Sequence, residues 1–195
     1  MILHIFVIPL LNVILGQPLS PPNSNSTGLK ADQTTINQQL STLLLALKNE
    51  KDETVASALA GEIESVWRQQ GGPTATLLLQ RIAQATKLAD NRTIERSLYH
   101  LRKLEPNFAQ GWIETARVAI RNSEWDYAIE SLTRALELDE NRFDAWSLLG
   151  STFERANEAK AALDAYSQAI KIHPFHPVSV SAHRRLTAKF AGKLL

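Results

Sequence analysis

Three histidines in "HPFHPVSVSAH", His173, His176 and His183, are the side chains whose type and proximity come nearest to a metal site. They do not complete one. His173 and His176 flank a proline turn, no carboxylate or cysteine joins them at ligand spacing, and the H-E-x-x-H arrangement is absent. A histidine at a turn beside a helix C-terminus is the ordinary reading, because the helix dipole favours it there. The chain has no cysteine, which excludes thiolate nucleophiles, thiolate zinc sites and disulfides. Neither G-x-S-x-G nor a glycine-rich loop followed by Lys-Ser or Lys-Thr occurs, and no alternating strand pattern exists to carry either. We expect no catalytic residue, no cofactor and no metal. A net charge of +1, with 21% charged residues, gives no argument for nucleic acid.

The elements that position the remaining polar residues are helices. From Ile36 onward apolar residues recur at intervals of three and four, as in "INQQLSTLLLALKNE" and in "DETVASALAGEIESVWRQQ". Asp52 reads as the N-cap of the second, and Gly71, Gly72 and Pro73 as its stop. Short connections between helices of this length imply antiparallel hairpins.

A second, longer period lies over the first. Trp112 recurs as Trp146, Ala128 as Ala162 and Ala135 as Ala169, every pair at the same separation. One interval earlier stand Leu78, Ile94, Leu98 and Leu101, and Pro106 matches Pro174 two intervals on. With these residues the repeat resembles the tetratricopeptide repeat, a helix-turn-helix unit of about 34 residues. The last unit fills the family's pattern throughout, with Trp146, Leu149, Gly150, Phe153, Ala162, Tyr166, Ala169 and Pro174. The middle unit keeps Trp112, Ala128 and Ala135, has Ala116 for the glycine, and departs from the pattern at Thr115, Ala119 and Glu140. Small residues such as Gly150 and Ala162 belong where helix axes approach to about 8–10 Å. Trp146, Phe153 and Tyr166 then supply apolar area that a single hairpin cannot cover alone.

The resemblance implies an all-α, right-handed α-α superhelix of antiparallel hairpins. Repeats are expected at 75–108, 109–142 and 143–176, preceded by a degenerate hairpin at 35–70 and followed by a capping helix at 177–195. In that helix Val178, Leu186 and Phe190 read as the packed face and Arg184, Arg185, Lys189 and Lys193 as the solvated one. It further implies a concave groove binding a protein or peptide, lined by Leu79, Lys87, Gln110, Ile113, Arg117, Ile120, Arg121, Ser147 and Arg155. The carboxylate clamp of the family's chaperone adaptors is not expected, since Asp144 stands where a clamp lysine belongs. Homo-oligomerisation through the outer face and a regulatory role in an enzyme complex are the alternative uses of such a stack.

The opening stretch 1–16, "MILHIFVIPLLNVILG", is almost wholly apolar, yet shorter than the roughly 20 residues of a membrane span. It reads as a secretory signal peptide lacking a basic start, and 17–34 as a flexible tether. The expected location is periplasmic or otherwise exported, with no stable membrane insertion after cleavage.

Overall fold

The computed structural model describes residues 26–192, with side chains from residue 34 onward. Residues 1–25, which hold the signal reading and most of the tether, lie outside the described residues, as do 193–195. The described chain is helical throughout: α1 (Ser26–Asn49), α2 (Glu53–Gln69), α3 (Gly72–Lys87), α4 (Asn91–Leu104), α5 (Ala109–Arg121), α6 (Trp125–Leu138), α7 (Phe143–Arg155), α8 (Ala159–Ile172) and α9 (Pro177–Ala191). Residues 26–34, read as the end of a tether, form the first turns of α1. The last proline before them is Pro22, so nothing in their sequence interrupts a helix.

Local chemistry sets the boundaries. The Asp52 carboxylate accepts from the backbone N–H groups of Thr54 (2.8 Å) and Val55 (3.0 Å), which caps α2 as its sequence predicts. Asp90 accepts from the Thr93 N–H at 3.1 Å and starts α4. A further device recurs at the repeat interval. Ala89, Ser123 and Asn157 all have positive φ (53°, 61° and 65°), each in the turn inside one hairpin. The residue after each closes back on the preceding helix: Asp90 N–H to Ala85 O, Glu124 N–H to Ala119 O and Glu158 N–H to Phe153 O, at 2.9, 2.9 and 2.8 Å. This is the left-handed stop that satisfies the last carbonyls of a helix, and it gives the three hairpins α3–α4, α5–α6 and α7–α8 the same reversal. Only Asn157 is a residue type that advertises it.

The hairpins stack into a superhelix around Ile113, Ala116, Ala119, Ala128, Leu132, Ala135, Ala145 and Leu149. The interval shows in the polar contacts as well. The Trp112 indole N–H donates to Pro106 O at 3.0 Å, and the Trp146 indole N–H donates to Glu140 O at 2.9 Å. Each indole thus pins the turn that enters its own unit. A Cβ on Gly150 would lie 2.8 Å from the Tyr166 ring, so glycine is what lets α7 and α8 cross there. Ala162, Tyr166 and Ala169 are buried, Phe153 packs beside them, and Pro174 lies in the turn before α9.

At the C-terminal end α9 caps the stack with Ser179, Ala182 and Leu186 buried and Phe190 against them. Val178 is not part of that face and is 54% exposed. Eight positions along a helix leave two side chains about 80° apart, so Val178 and Leu186 do not share a stripe. Arg185, on the other side, donates to both oxygens of Glu154 at 2.7–2.8 Å.

The degenerate hairpin expected at 35–70 is α1–α2, and it packs differently from the three repeats. Its apolar residues Leu40, Leu47, Ala56, Ala60, Ile63, Val66 and Trp67 gather with Phe143, Ile172 and Phe175 of the last repeat, not with the core of α3–α4. The junction explains the departure. Gly72 has φ +72°, a conformation open to glycine, and Pro73 follows immediately, so α2 and α3 join through a sharp turn and not through the turn the other repeats share. The hairpin folds back across the stack.

Candidate functional site

The wall formed by α3, α5 and α7 is met by α2 at α3 and at the start of α7. From its N-terminus α2 begins beside His176 and Pro177, with Glu53, Ser57, Ala60 and Gly61 facing Phe143, His173 and Phe175. At its other end Ser65, Arg68 and Gln69 share a cleft of ≈ 320 Å³ with Thr76, Leu79 and Ala83 of α3. Between the two, Trp67 is fully buried, its ring 5.2 Å from that of Phe143 and 4.3 Å from the guanidinium of Arg142.

Arg142 is the polar centre of this seam. It is 1% exposed, donates to both oxygens of Asp144 at 2.9 and 2.8 Å, and donates also to Gln110 Oε1. Burial pushes the Asp144 carboxyl up, but the hydrogen bonds and charge of Arg142 outweigh it and hold the group below its ordinary value. Beside it, burial and the neighbouring His176 push His173 down to about 4. Burial lowers His176 as well, with Asp144 pulling the other way, and the His176 Nδ1 accepts from the Ser179 N–H to cap α9. The histidines therefore serve a packed seam; among the described residues no group of three metal-ligating side chains comes together.

This arrangement divides the residues expected to line the groove. Gln110 and Ser147 are buried at the seam end of the wall, and Ile113 lies fully inside the stack's core. Those three are not available to a ligand: Arg142 bonds Gln110, and Ser147 and Ile113 are buried within the stack. Leu79 is half-buried at the α2–α3 cleft, and Ile120 is half-buried against the core. Lys87, Arg117, Arg121 and Arg155 are exposed at the opposite end. Lys87, Arg121 and Arg155 occupy the same place in successive repeats, in the last turn of α3, α5 and α7, where the helix dipole favours a cation. Arg155 lies 5.7 Å from the Trp125 ring of the preceding hairpin, and Arg117 pairs loosely with Glu114 at 3.7 Å. Glu154, bound by Arg185 and by the Tyr166 hydroxyl at 2.9 Å, closes the row; burial and that carboxylate push the Tyr166 phenol up.

Sequence reasoning missed Arg142 and the contact that Trp67 makes with it. The available signal was Asp144 in a place expected to be basic: its carboxylate is there to hold Arg142.

Residues 113–177 match the tetratricopeptide repeat family model. That segment, about a third of the chain, carries the tetratricopeptide repeat. A TPR repeat-containing protein of Rhizobium etli is 24% identical over 155 residues, which cover 80% of this chain and 76% of that one. Protein bimA of Emericella nidulans is 26% identical over 78 residues, 40% of this chain and 10% of bimA. Among solved structures, the TPR domain of Arabidopsis OM64 superposes with TM-score 0.55 at 18% identity, covering 58% of this chain and 94% of that domain. YrrB, described as a TPR protein with an unusual peptide-binding site, superposes with TM-score 0.52 at 17% identity over 82% of this chain and 89% of its own. These likenesses establish the superhelical fold. Tetratricopeptide-repeat proteins are in general interaction modules without catalysis, and this chain has the architecture of such a scaffold.

Proposed function

We propose that this tetratricopeptide-repeat chain is a non-catalytic scaffold that holds an acidic segment of a partner protein along the exposed end of its concave wall. One observation carries the reading: Lys87, Arg121 and Arg155 recur at the repeat interval and form, with Arg117, an exposed basic row beside the half-buried Ile120. A row of cations at a fixed interval suits an extended ligand with carboxylates spaced along it, while Ile120 offers an apolar contact. The apolar opening stretch, from Met1 to Gly16, further supports an exported chain working in the bacterial envelope.

A displayed peptide library panned on the chain tests the binding reading. It should enrich sequences rich in Asp and Glu, and Arg117→Glu with Arg121→Glu should weaken the selected peptides by at least about tenfold, roughly 1.4 kcal/mol. Peptides without acidic bias, or full binding by the doubly reversed chain, would remove the basic row from the account. Sequencing the mature N-terminus of the protein from its host tests export. A chain beginning close to Gln17 is expected, and an intact Met1 would contradict it.

A further inference from the structure

The outer side of the stack holds a second opening, and it exists in only one of two equivalent places. Between α6 and α8, over α7, lies a groove of ≈ 580 Å³ floored by Trp146, Leu149 and Phe153 and walled in part by Leu136 and Ala161. The equivalent space one repeat earlier, between α4 and α6 over α5, is ≈ 190 Å³. There Arg102 reaches across, donates to the Tyr127 hydroxyl at 2.6 Å and lies 5.6 Å from the Trp112 ring. The places of Arg102 and Tyr127 are taken, one repeat on, by Leu136 and Ala161, which cannot bridge. The open groove is thus the work of two residues and not a general property of the repeat.

Its charge is one-sided. The charged side chains lining it are Glu137, Glu140 and Asp164. Glu137 is paired with Arg134, whereas Glu140 and Asp164 enter no ion pair among the described residues. An apolar floor under free carboxylates calls for an occupant with a bulky apolar knob flanked by cations.

This chain displays such a knob on its own outer side. On α4, Arg96, Tyr99, His100, Lys103 and Leu104 are exposed at spacings that place them on one stripe. Tyr99 is 55% and Leu104 56% exposed, and Tyr99 carries the Lys103 ammonium 5.9 Å from its ring and the His100 ring at 5.5 Å. We infer that the groove between α6 and α8 receives the α4 stripe of a second copy of this chain, Tyr99 over Trp146 and Phe153, with Arg96 and Lys103 toward Asp164 and Glu140. Stripe and groove lie on the same outer side with α6 between them. Two copies set back to back therefore make the same contact twice and close as a two-fold pair.

Sedimentation velocity of the full chain over a range of concentrations tests this, with Tyr99→Glu and Ala161→Tyr as separate variants. Tyr99 is exposed, and Ala161→Tyr restores the residue found at the closed groove, so both variants should keep the parent's circular dichroism and melting. The expected result is a monomer–dimer equilibrium that weakens at least about tenfold in each variant and weakens in the parent as salt is raised. Dimerisation that survives both changes overturns the inference. So does a parent that stays monomeric throughout, which would assign the groove to a different protein.

Discussion

The α7–α8 and α1–α2 pairs are both antiparallel hairpins rich in leucine and alanine, and each buries a large aromatic of its second helix, Tyr166 in the first and Trp67 in the second. They are used in opposite ways. Tyr166 packs inside its own hairpin, onto Gly150, and leaves the outer faces of the pair to meet α6 and α9. Trp67 packs outside its hairpin, onto Phe143 and Arg142 at the junction of the second and third repeats. Tyr166 closes the crossing of a stacked hairpin, whereas Trp67 fastens its hairpin to the last repeat as a clasp. The clasp meets the stack at the α3 cleft and at Arg142 and Phe143, and the basic row stays exposed.

If that contrast is right, damage to the two aromatics should spread differently. Trp67→Ala removes a fully buried indole and should cost about 3–5 kcal/mol. Because that loss falls on the seam, hydrogen exchange should accelerate in α1 and α2 while α5–α8 keep their protection. Uniform acceleration through all the helices would erase the distinction between clasp and stack. Gly150→Ala should cost less, about 1–3 kcal/mol, since the new methyl meets the Tyr166 ring at 2.8 Å and the hairpin must open slightly. Its effect should run through the neighbouring repeats and lower the main melting transition, and an unshifted transition would show that the crossing tolerates more than a glycine.

The smallest effect near neutral pH belongs to His173, which lies in the seam with its ring 5.1 Å from Phe143. Its folded value is about 4 against an ordinary 6.5, so the unfolded chain binds the extra proton between those two values. Stability contributed by the neutral, buried ring is complete above about 6.5 and is lost progressively as pH falls toward about 4. His173→Phe should flatten the pH dependence of the melting temperature in that window. An unchanged slope would place the titration elsewhere.

The repeats were legible because their packing constrains residue type at fixed places. Gly150, Ala162, Ala169 and Trp146 each face a spatial demand that few side chains meet, and the repeat interval restates the demand. The left-handed turn residues were less visible, because alanine at 89 and serine at 123 give no hint of positive φ. The clasp was not legible at all. Ala56, Ala60 and Ile63 show the same periodic face whether they meet α3 or Phe143, and helical periodicity says that a face is buried without saying against what. For the candidate site register misled at Gln110 and Ser147, which hold groove places by their position in the repeat yet are buried. Lys87, Arg117, Arg121 and Arg155 are exposed toward the C-terminal ends of their helices.

The placement of α2 decides the rest, and one spectrum reads it. Nuclear Overhauser contacts from the Trp67 indole should run to the Phe143 ring, whose centroid is 5.2 Å away, and to the Arg142 side chain. Contacts from that indole falling only on α3 and α4, as they would if the first hairpin were simply another stacked repeat, would contradict the account.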